Sequence, residues 1–353
     1  GAGGTFTLGA GETLGEYLIV STGTFDLNGF ALSISSTTTI EAGAMKTSTN
    51  TVTFGNGTGN DSVSITGGEL HIESDNTSSD IVLNLGSGSW SNTGGTIIYD
   101  GSTVNTNLLS SLSPYNNLTI DSAGSTYTLN GNITVNGDLT INDGTLNTSA
   151  NNYAISVDGD WNRAGGTFTV NNSTVTFITA SSTSTLTGST TFYGLVSTAS
   201  GKNVKVSSAT VIGVTGHLNF ENITLRSTLN GATWYLNLTG SGTQDVSGVD
   251  VRDSNASGGS TIIAYSSTDS GNNTNWTFVD GTPPAAITDL TGLCDTGTGD
   301  VTLSWSTPGD DGWNNTLVDG SKYRIDYSTY SIQWSTTTYD VEIPTHSVTP
   351  YTN

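Results

Sequence analysis

From Thr5 to about Phe278 the chain alternates apolar and polar residues with a period of two, as in Thr5-Phe6-Thr7-Leu8, Ala31-Leu32-Ser33-Ile34, Leu139-Thr140-Ile141 and Val175-Thr176-Phe177. That period predicts short β-strands with one buried face. Asn130-Gly131, Asn136-Gly137, Asp143-Gly144 and Gly165-Gly166 stand between such runs and predict sharp corners, since Gly, Asn and Asp tolerate positive φ. No helical period persists for ten residues. Pro114 is the only proline before the segment ends, so almost every backbone N–H is free to join a ladder.

Repetition separates a solenoid from a sandwich or a propeller. Thr96-Ile97-Ile98-Tyr99, a Thr/Ser/Asn tract and Tyr115-Asn116-Asn117-Leu118 are echoed by Thr174-Val175-Thr176-Phe177, a Thr/Ser tract and Phe192-Tyr193-Gly194-Leu195. Thr24-Phe25-Asp26-Leu27-Asn28-Gly29 is echoed by Thr126-Tyr127-Thr128-Leu129-Asn130-Gly131. Such self-similarity predicts stacked coils of roughly 20 to 25 residues, on the order of a dozen of them. At about 4.8 Å per coil they would make a rod roughly 60 Å long. A thin column of Leu, Ile, Val and Phe would fill it, with Thr, Ser and Asn outside.

Composition fits that picture and narrows the function. Gly, Ser, Thr and Asn make up about half of the 353 residues, while only 11% are charged and the formal charge is −22. Disordered chains are usually richer in charge and poorer in β-branched and aromatic residues, so order is expected. With 8 Lys and Arg against 30 Asp and Glu, neither nucleic acid nor an anionic membrane is an expected partner. No run approaches the roughly 20 apolar residues of a membrane span, and no signal peptide opens the chain; the expectation is a mature, secreted protein at the cell surface. The single Cys294 permits no internal disulfide.

The run from Tyr127 through Asn130-Gly131-Asn132, Asn136-Gly137-Asp138 and Leu139-Thr140-Ile141 to Val157-Asp158-Gly159-Asp160-Trp161 resembles the repeats of bacterial surface and filamentous haemagglutinin-like adhesins. Gly248 to Ala256, followed by Asn275-Trp276-Thr277-Phe278, is similar to the segment that closes their helices. The resemblance implies a right-handed parallel β-helix over residues 1–279 and an extracellular, adhesive role. Gly281-Thr282-Pro283-Pro284 then marks a linker, residues 280–285. Beyond it, Ile287, Leu290 and Leu293, then Val301-Thr302-Leu303-Ser304-Trp305, then Tyr323-Arg324-Ile325-Asp326-Tyr327 resemble the first three strands of a fibronectin type III domain with a buried Trp305. Residues 286–353 are too few for the seven strands of that immunoglobulin-like sandwich, which takes about 100 residues, so it is expected to be partial. A strand from another copy could complete it by β-augmentation, with residues 4–8 as candidate donor.

Catalytic chemistry finds little support. Lys46, Arg163, Lys202, Lys205, Arg226 and Arg252 read as scattered, with none pointing from one face of adjacent coils, as a polysaccharide lyase would need. Asp158 and Asp160 could share a face, although an Asp-Gly-Asp turn usually caps backbone. His71, His217 and His346 have no metal-ligand spacing, and Cys294 has no nearby His to act as base. Asp295 with Asp300 and Asp310 with Asp311 are loop carboxylates that could hold calcium, but no calcium-loop register supports them, and the expectation is no metal and no cofactor. Trp161, Trp234 and Trp276 read as core or strand-end caps rather than sugar platforms. Candidate N-glycan acceptors are Asn56, Asn60, Asn76, Asn117, Asn132, Asn147, Asn171, Asn172, Asn222, Asn237, Asn255, Asn272, Asn275 and Asn314. The expected function is a non-enzymatic structural or adhesive protein that assembles with copies of itself and contacts glycans or other surface polymers. The alternative is a secreted carbohydrate-active enzyme or polysaccharide-binding protein on the same scaffold.

Overall fold

The computed structural model describes residues 3–47, 50–73, 81–101, 105–279, 284–294, 296–309, 322–325 and 341–344. The chain divides into two compact units, Gly1–Val279 and Asp280–Asn353.

The first unit is a parallel β-solenoid of about 12 turns. One 15-stranded sheet runs its full length, and thirteen of its strands, from Thr5–Thr7 to Thr268–Asp269, follow one another along a single path. The expected coil length holds on average but varies. Thr5 lies beside Thr24 and Thr24 beside Ala44, steps of 19 and 20, whereas Glu69 lies beside Thr96 and Asp250 beside Thr268, steps of 27 and 18.

In the first four coils each turn adds one strand to the continuous sheet and one to each of two 4-stranded sheets. These strands have three or four residues, and those such as Leu32–Ile34, Val52–Phe54 and Val63–Ile65 bury their first and third side chains and turn the middle one outward. A parallel β-ladder then stacks like on like. Phe25, Met45, Leu70, Ile97, Leu118, Leu139, Trp161, Leu186 and Val206 form one inward file, each beside the next. All but Phe25 are essentially sealed from solvent, and each fully buried apolar side chain contributes roughly 1.5–3 kcal/mol. This column is the core expected from the alternation.

The coil changes form after Asn92. The two 4-stranded sheets end at Ile81–Leu83 and Trp90–Asn92, and a 10-stranded sheet takes over. Strands lengthen to Asn117–Leu129, Leu139–Asn147 and Val211–Glu221, well beyond the short strands expected. The reason is that turn-like residues sit inside bent strands: Asp143-Gly144, read as a corner, lies within Leu139–Asn147, with Gly144 at φ +71° and register shifts in the facing strand around Asp121. The echoed runs also part company, since Thr96–Tyr99 belongs to the continuous sheet and Thr174–Phe177 to the 10-stranded one.

A polar knot fills the transition. Tyr99, Tyr115 and Tyr127 are buried side chains; Leu109 N–H donates to the Tyr99 hydroxyl at 3.0 Å, Tyr115 donates to the Leu109 carbonyl at 2.5 Å, and Tyr127 to the Gly101 carbonyl at 2.9 Å. Trp90 Nε1 donates to the Leu112 carbonyl at 2.8 Å, at the end of a 3-10 turn, Ser110–Leu112. Burial pushes the Tyr99 hydroxyl up to about 12.

In the second unit the described strands pair as two antiparallel ladders, Thr291–Cys294 with Val301–Ser304 and Lys322–Ile325 with Val341–Pro344. The Trp305 ring meets Tyr323 edge-on at 5.3 Å. Trp305 is half-buried rather than buried, and Ile287, Leu290, Leu293 and Val301 are exposed. Residues 281–283, Asp326 and Tyr327 lie outside the described residues.

Candidate functional site

Because outward side chains of a solenoid stack in files, charge clusters form across residues remote in sequence. Three such clusters lie on the first unit.

The first is on the outer face of the continuous sheet, where Asp26, Lys46 and His71 occupy one register file. His71 Nδ1 meets Asp100 Oδ2 at 2.7 Å and Nε2 meets Glu69 Oε2 at 3.1 Å, while Lys46 Nζ meets Glu73 Oε1 at 3.2 Å. Burial works to lower the His71 pKa, but the hydrogen bond and charge of Asp100, with a further bond to Glu69, outweigh it and raise the imidazole above 6.5. Lys46 is likewise raised against its own burial by Glu73, Asp100 and Asp26. His71 is therefore held by two carboxylates, and the lone histidine read from the sequence is the centre of a cluster. Beside it runs an open groove of about 460 Å³ along Gly23, Gly43, Gly68 and Gly94, with Glu69 on its lip.

The second cluster is at a corner. Lys202, with no exposed side-chain surface, donates to the Asp158 carbonyl and to Ser182 Oγ, both at 2.9 Å, and its Nζ lies 3.7 Å from Asp158 Oδ1. Ser182 Oγ bridges to the Asp158 carboxylate and Ser184 Oγ donates to the Asp158 carbonyl at 2.9 Å. Desolvation lowers the Lys202 pKa despite the nearby Asp158 and Asp160. The group ties three successive coils. Asp160 does what a turn aspartate was expected to do: its Oδ1 accepts from Thr185 N–H at 2.7 Å, one rung of a corner ladder that runs through Asp138 and Asn117.

The third cluster corrects the reading of the cations as scattered. Lys205 and Arg226 are direct register neighbours on the outer face of the continuous sheet. Arg252 follows one residue after the Leu225–Val251 pair, so the next coil extends the same file. Arg226 Nη2 holds Asp250 Oδ2 at 2.5 Å and Nη1 the Asp250 carbonyl at 2.6 Å, and Ser270 Oγ donates to Asp250 Oδ1 at 2.5 Å. Burial would raise the Asp250 pKa, but these bonds and the Arg226 charge bring it below 3.8. The sequence conceals this file because coils differ in length: 21 residues separate Lys205 from Arg226 and 26 separate Arg226 from Arg252, so no constant spacing announces it.

The other site residues fall as follows. His217 Nδ1 meets Thr243 Oγ1 at 2.9 Å, and Cys294 is exposed. His346, Asp295, Asp310, Asp311, Asn76 and Asn314 lie outside the described residues. Among the described residues no three His, Cys, Asp or Glu side chains are placed to hold a metal, and no helix is long and apolar enough to cross a membrane. Trp161 and Trp234 are core residues, and Trp276 is half-buried with its Nε1 on Ser254 Oγ at 3.1 Å.

Many sequon asparagines serve the corners. Asn56, Asn171, Asn272 and Asn275 donate Nδ2 to the Ser35 carbonyl, Asn147 Oδ1, Asp253 Oδ1 and the Ala256 carbonyl, at 3.0, 2.8, 2.9 and 3.0 Å, and Asn222 donates more loosely to Glu221 at 3.4 Å. A glycan on any of these would take one of the two Nδ2 hydrogens and crowd the bond that the other makes. Asn117, Asn132, Asn147 and Asn255 accept through Oδ1 from Asp138, Ala154, Ser149 and Ser257 backbone N–H groups, each at 2.9 Å. Asn237 Oδ1 is buried without a partner. Asn60, Asn132 and Asn172 are exposed and spend no amide hydrogen on the fold, so they are the acceptors open to a glycan.

The candidate donor segment is engaged in its own chain, since Thr5–Thr7 pairs with Thr24–Asp26. Among the described residues no strand pairs with its other edge, nor with those of Glu12–Leu14 and Leu18–Val20. Phe6 is 62% exposed although it stacks on Phe25 at 5.6 Å, and an open cleft of about 540 Å³ lies between these strands. Glu12 shares the inward file of Leu32 and Val52, both buried. A carboxylate thus stands where an apolar side chain would continue the column.

Compared with protein-family models, with curated proteins and with solved structures, this chain matches none, so its surface chemistry is what speaks for its function.

Proposed function

We propose that the protein is an extracellular structural or adhesive surface protein, a right-handed β-helical rod that acts through repeated outward contacts and assembles with copies of itself. The observation that carries this reading is the single ladder of thirteen strands, which stacks outward polar and charged side chains in ordered files along the first unit. The right-handed sense agrees with the strong preference of parallel crossovers for that hand. Unpaired strand edges around Phe6 are surfaces onto which a neighbour could add strands. Sedimentation velocity and electron microscopy of the 353-residue chain across a concentration series test the assembly. Regular oligomers that grow with concentration are expected, and a monomer at every concentration overturns it.

The Lys205–Arg226 adjacency favours a second reading, a polysaccharide-active enzyme or binding protein. A reducing-end assay on acidic and neutral polysaccharides separates the enzyme from the structural reading, which expects no product.

A further inference from the structure

The outer file Lys205–Arg226–Arg252 is where a chain of formal charge −22 concentrates positive charge on one face. Its three members are not equivalent. Arg226 is bound to Asp250, and Arg252 Nε lies 3.5 Å from Asp253 Oδ2. Lys205 makes no hydrogen bond or ion pair among the described residues, so its ammonium is uncommitted. The strand-mates of Val204, Val206 and Leu225 put Lys205 and Arg226 on the solvent side, since those three are buried. On one side of this file the next outward file carries Thr183, Asn203, Thr224 and Asp250; on the other, Thr187 Oγ1 and Ser207 Oγ share a hydrogen bond of 3.1 Å.

We propose that this face is a binding subsite for a carboxylated polysaccharide, with the Lys205 ammonium, backed by the Arg226 guanidinium, taking the uronate carboxylate and the flanking hydroxyls and amides taking sugar hydroxyls. The inference deepens the adhesive reading above and rests on it by naming the polymer contacted. Charge density selects the ligand class. Nucleic acid carries about one charge per 1.7 Å and is gripped by many cations, whereas one free lysine beside one paired arginine, in a field of hydroxyls, matches a polymer with one charge per sugar. Coils about 4.8 Å apart place both cationic heads within reach of a single saccharide. The net negative charge repels polyanions at long range, but charges farther apart than about 8 Å are largely screened at physiological salt, so the local pair decides.

The test uses the intact chain on immobilised polygalacturonate, fully methyl-esterified polygalacturonate, dextran sulfate and single-stranded DNA. Variants are Lys205→Gln and, as a control of equal charge change on the other sheet, Thr176→Glu; circular dichroism checks that both fold. Expected are binding to polygalacturonate but not to its ester, weaker binding to dextran sulfate and DNA, a loss of about tenfold in Lys205→Gln, and an unchanged affinity in Thr176→Glu. Equal binding to acid and ester, equal binding to DNA, no loss in Lys205→Gln, or the same loss in both variants overturns the subsite. Those results leave the adhesive reading standing. That reading fails separately, if the chain neither forms oligomers nor is retained by any surface polymer, neutral ones included.

Discussion

The coils before residue 101 and those after residue 105 wind the same kind of column by different means. The earlier coils use three short strands and turn mostly at glycine: among the described residues there, Asn28 alone carries a side chain at positive φ, beside Gly23, Gly29, Gly55, Gly57, Gly68 and Gly86. The later coils bend long strands and place Ser149, Asn152, Asn171, Asn222, Asn272 and Asn275 in left-handed conformations, with φ between 48° and 68°. Glycine allows close approach; a Cβ on Gly43 would stand 2.6 Å from the Gly23 carbonyl oxygen and 2.8 Å from Val20 Cγ1. Asparagine costs some backbone strain but returns a bond to the neighbouring coil, as Asn171 does with Asn147 and Asn275 with Ala256. Side-chain bonds between coils occur in both halves, as from Asn56 to the Ser35 carbonyl in the early one; what the late half adds is asparagine at left-handed corners, where the same residue makes the turn and the bond.

The comparison can be broken most severely in the late core. Trp161 packs edge-on against Phe168 at 4.8 Å and Phe192 at 5.1 Å, and Trp161→Ala should cost about 4 kcal/mol. Urea unfolding followed by amide exchange should show protection lost first in the coils around Trp161, because solenoid stability is a sum over neighbouring turns; uniform loss across both halves would mean one indivisible column. Next, Gly43→Ala should cost roughly 2 kcal/mol through overpacking. At Asn171, the change to Gly should cost only about 1 kcal/mol, the value of a bond, while Asn171→Ala should cost more, since it adds left-handed strain. If Asn171→Gly proves as damaging as Gly43→Ala, the distinction between the halves fails.

A smaller effect lies in pH. His71 has a raised pKa in the fold, so its contribution is complete below about 6.5 and is lost as pH rises through the higher folded value. Thermal unfolding of the wild type should show a step in Tm over that window, absent in His71→Gln. The smallest expected change is in association. Glu12→Leu removes the charge from the inward file and should strengthen self-association measured by sedimentation; unchanged association would show that the first described coil is not the contact.

Strand alternation, coil number and the apolar column were legible because period two and like-on-like stacking are local rules repeated many times. The charge clusters were not. Asp158 and Lys202 meet across 44 residues and Lys205 meets Arg226 across 21, and with coil steps running from 18 to 27 a residue's neighbour cannot be counted off. Bends inside strands misled for another reason: Asp143-Gly144 has turn chemistry, but the ladder on both sides of it pairs with the same neighbouring strand. Trp305 and Tyr323 do meet, as strands of one small domain should, while Leu293 remains at the surface.

The Lys202 anchorage bears on how the rod would carry load. In a parallel solenoid the chain climbs one strand spacing, about 4.8 Å, per coil of some twenty residues, so a pull along the axis peels turns away singly and each yields roughly 70 Å of slack. Peeling that arrives at Lys202 meets a fastening shared by the turns of Asp158, Ser182 and Lys202. There the rod should hold to a higher force and then surrender several turns together, which makes a buried ammonium the mechanical fuse of the molecule.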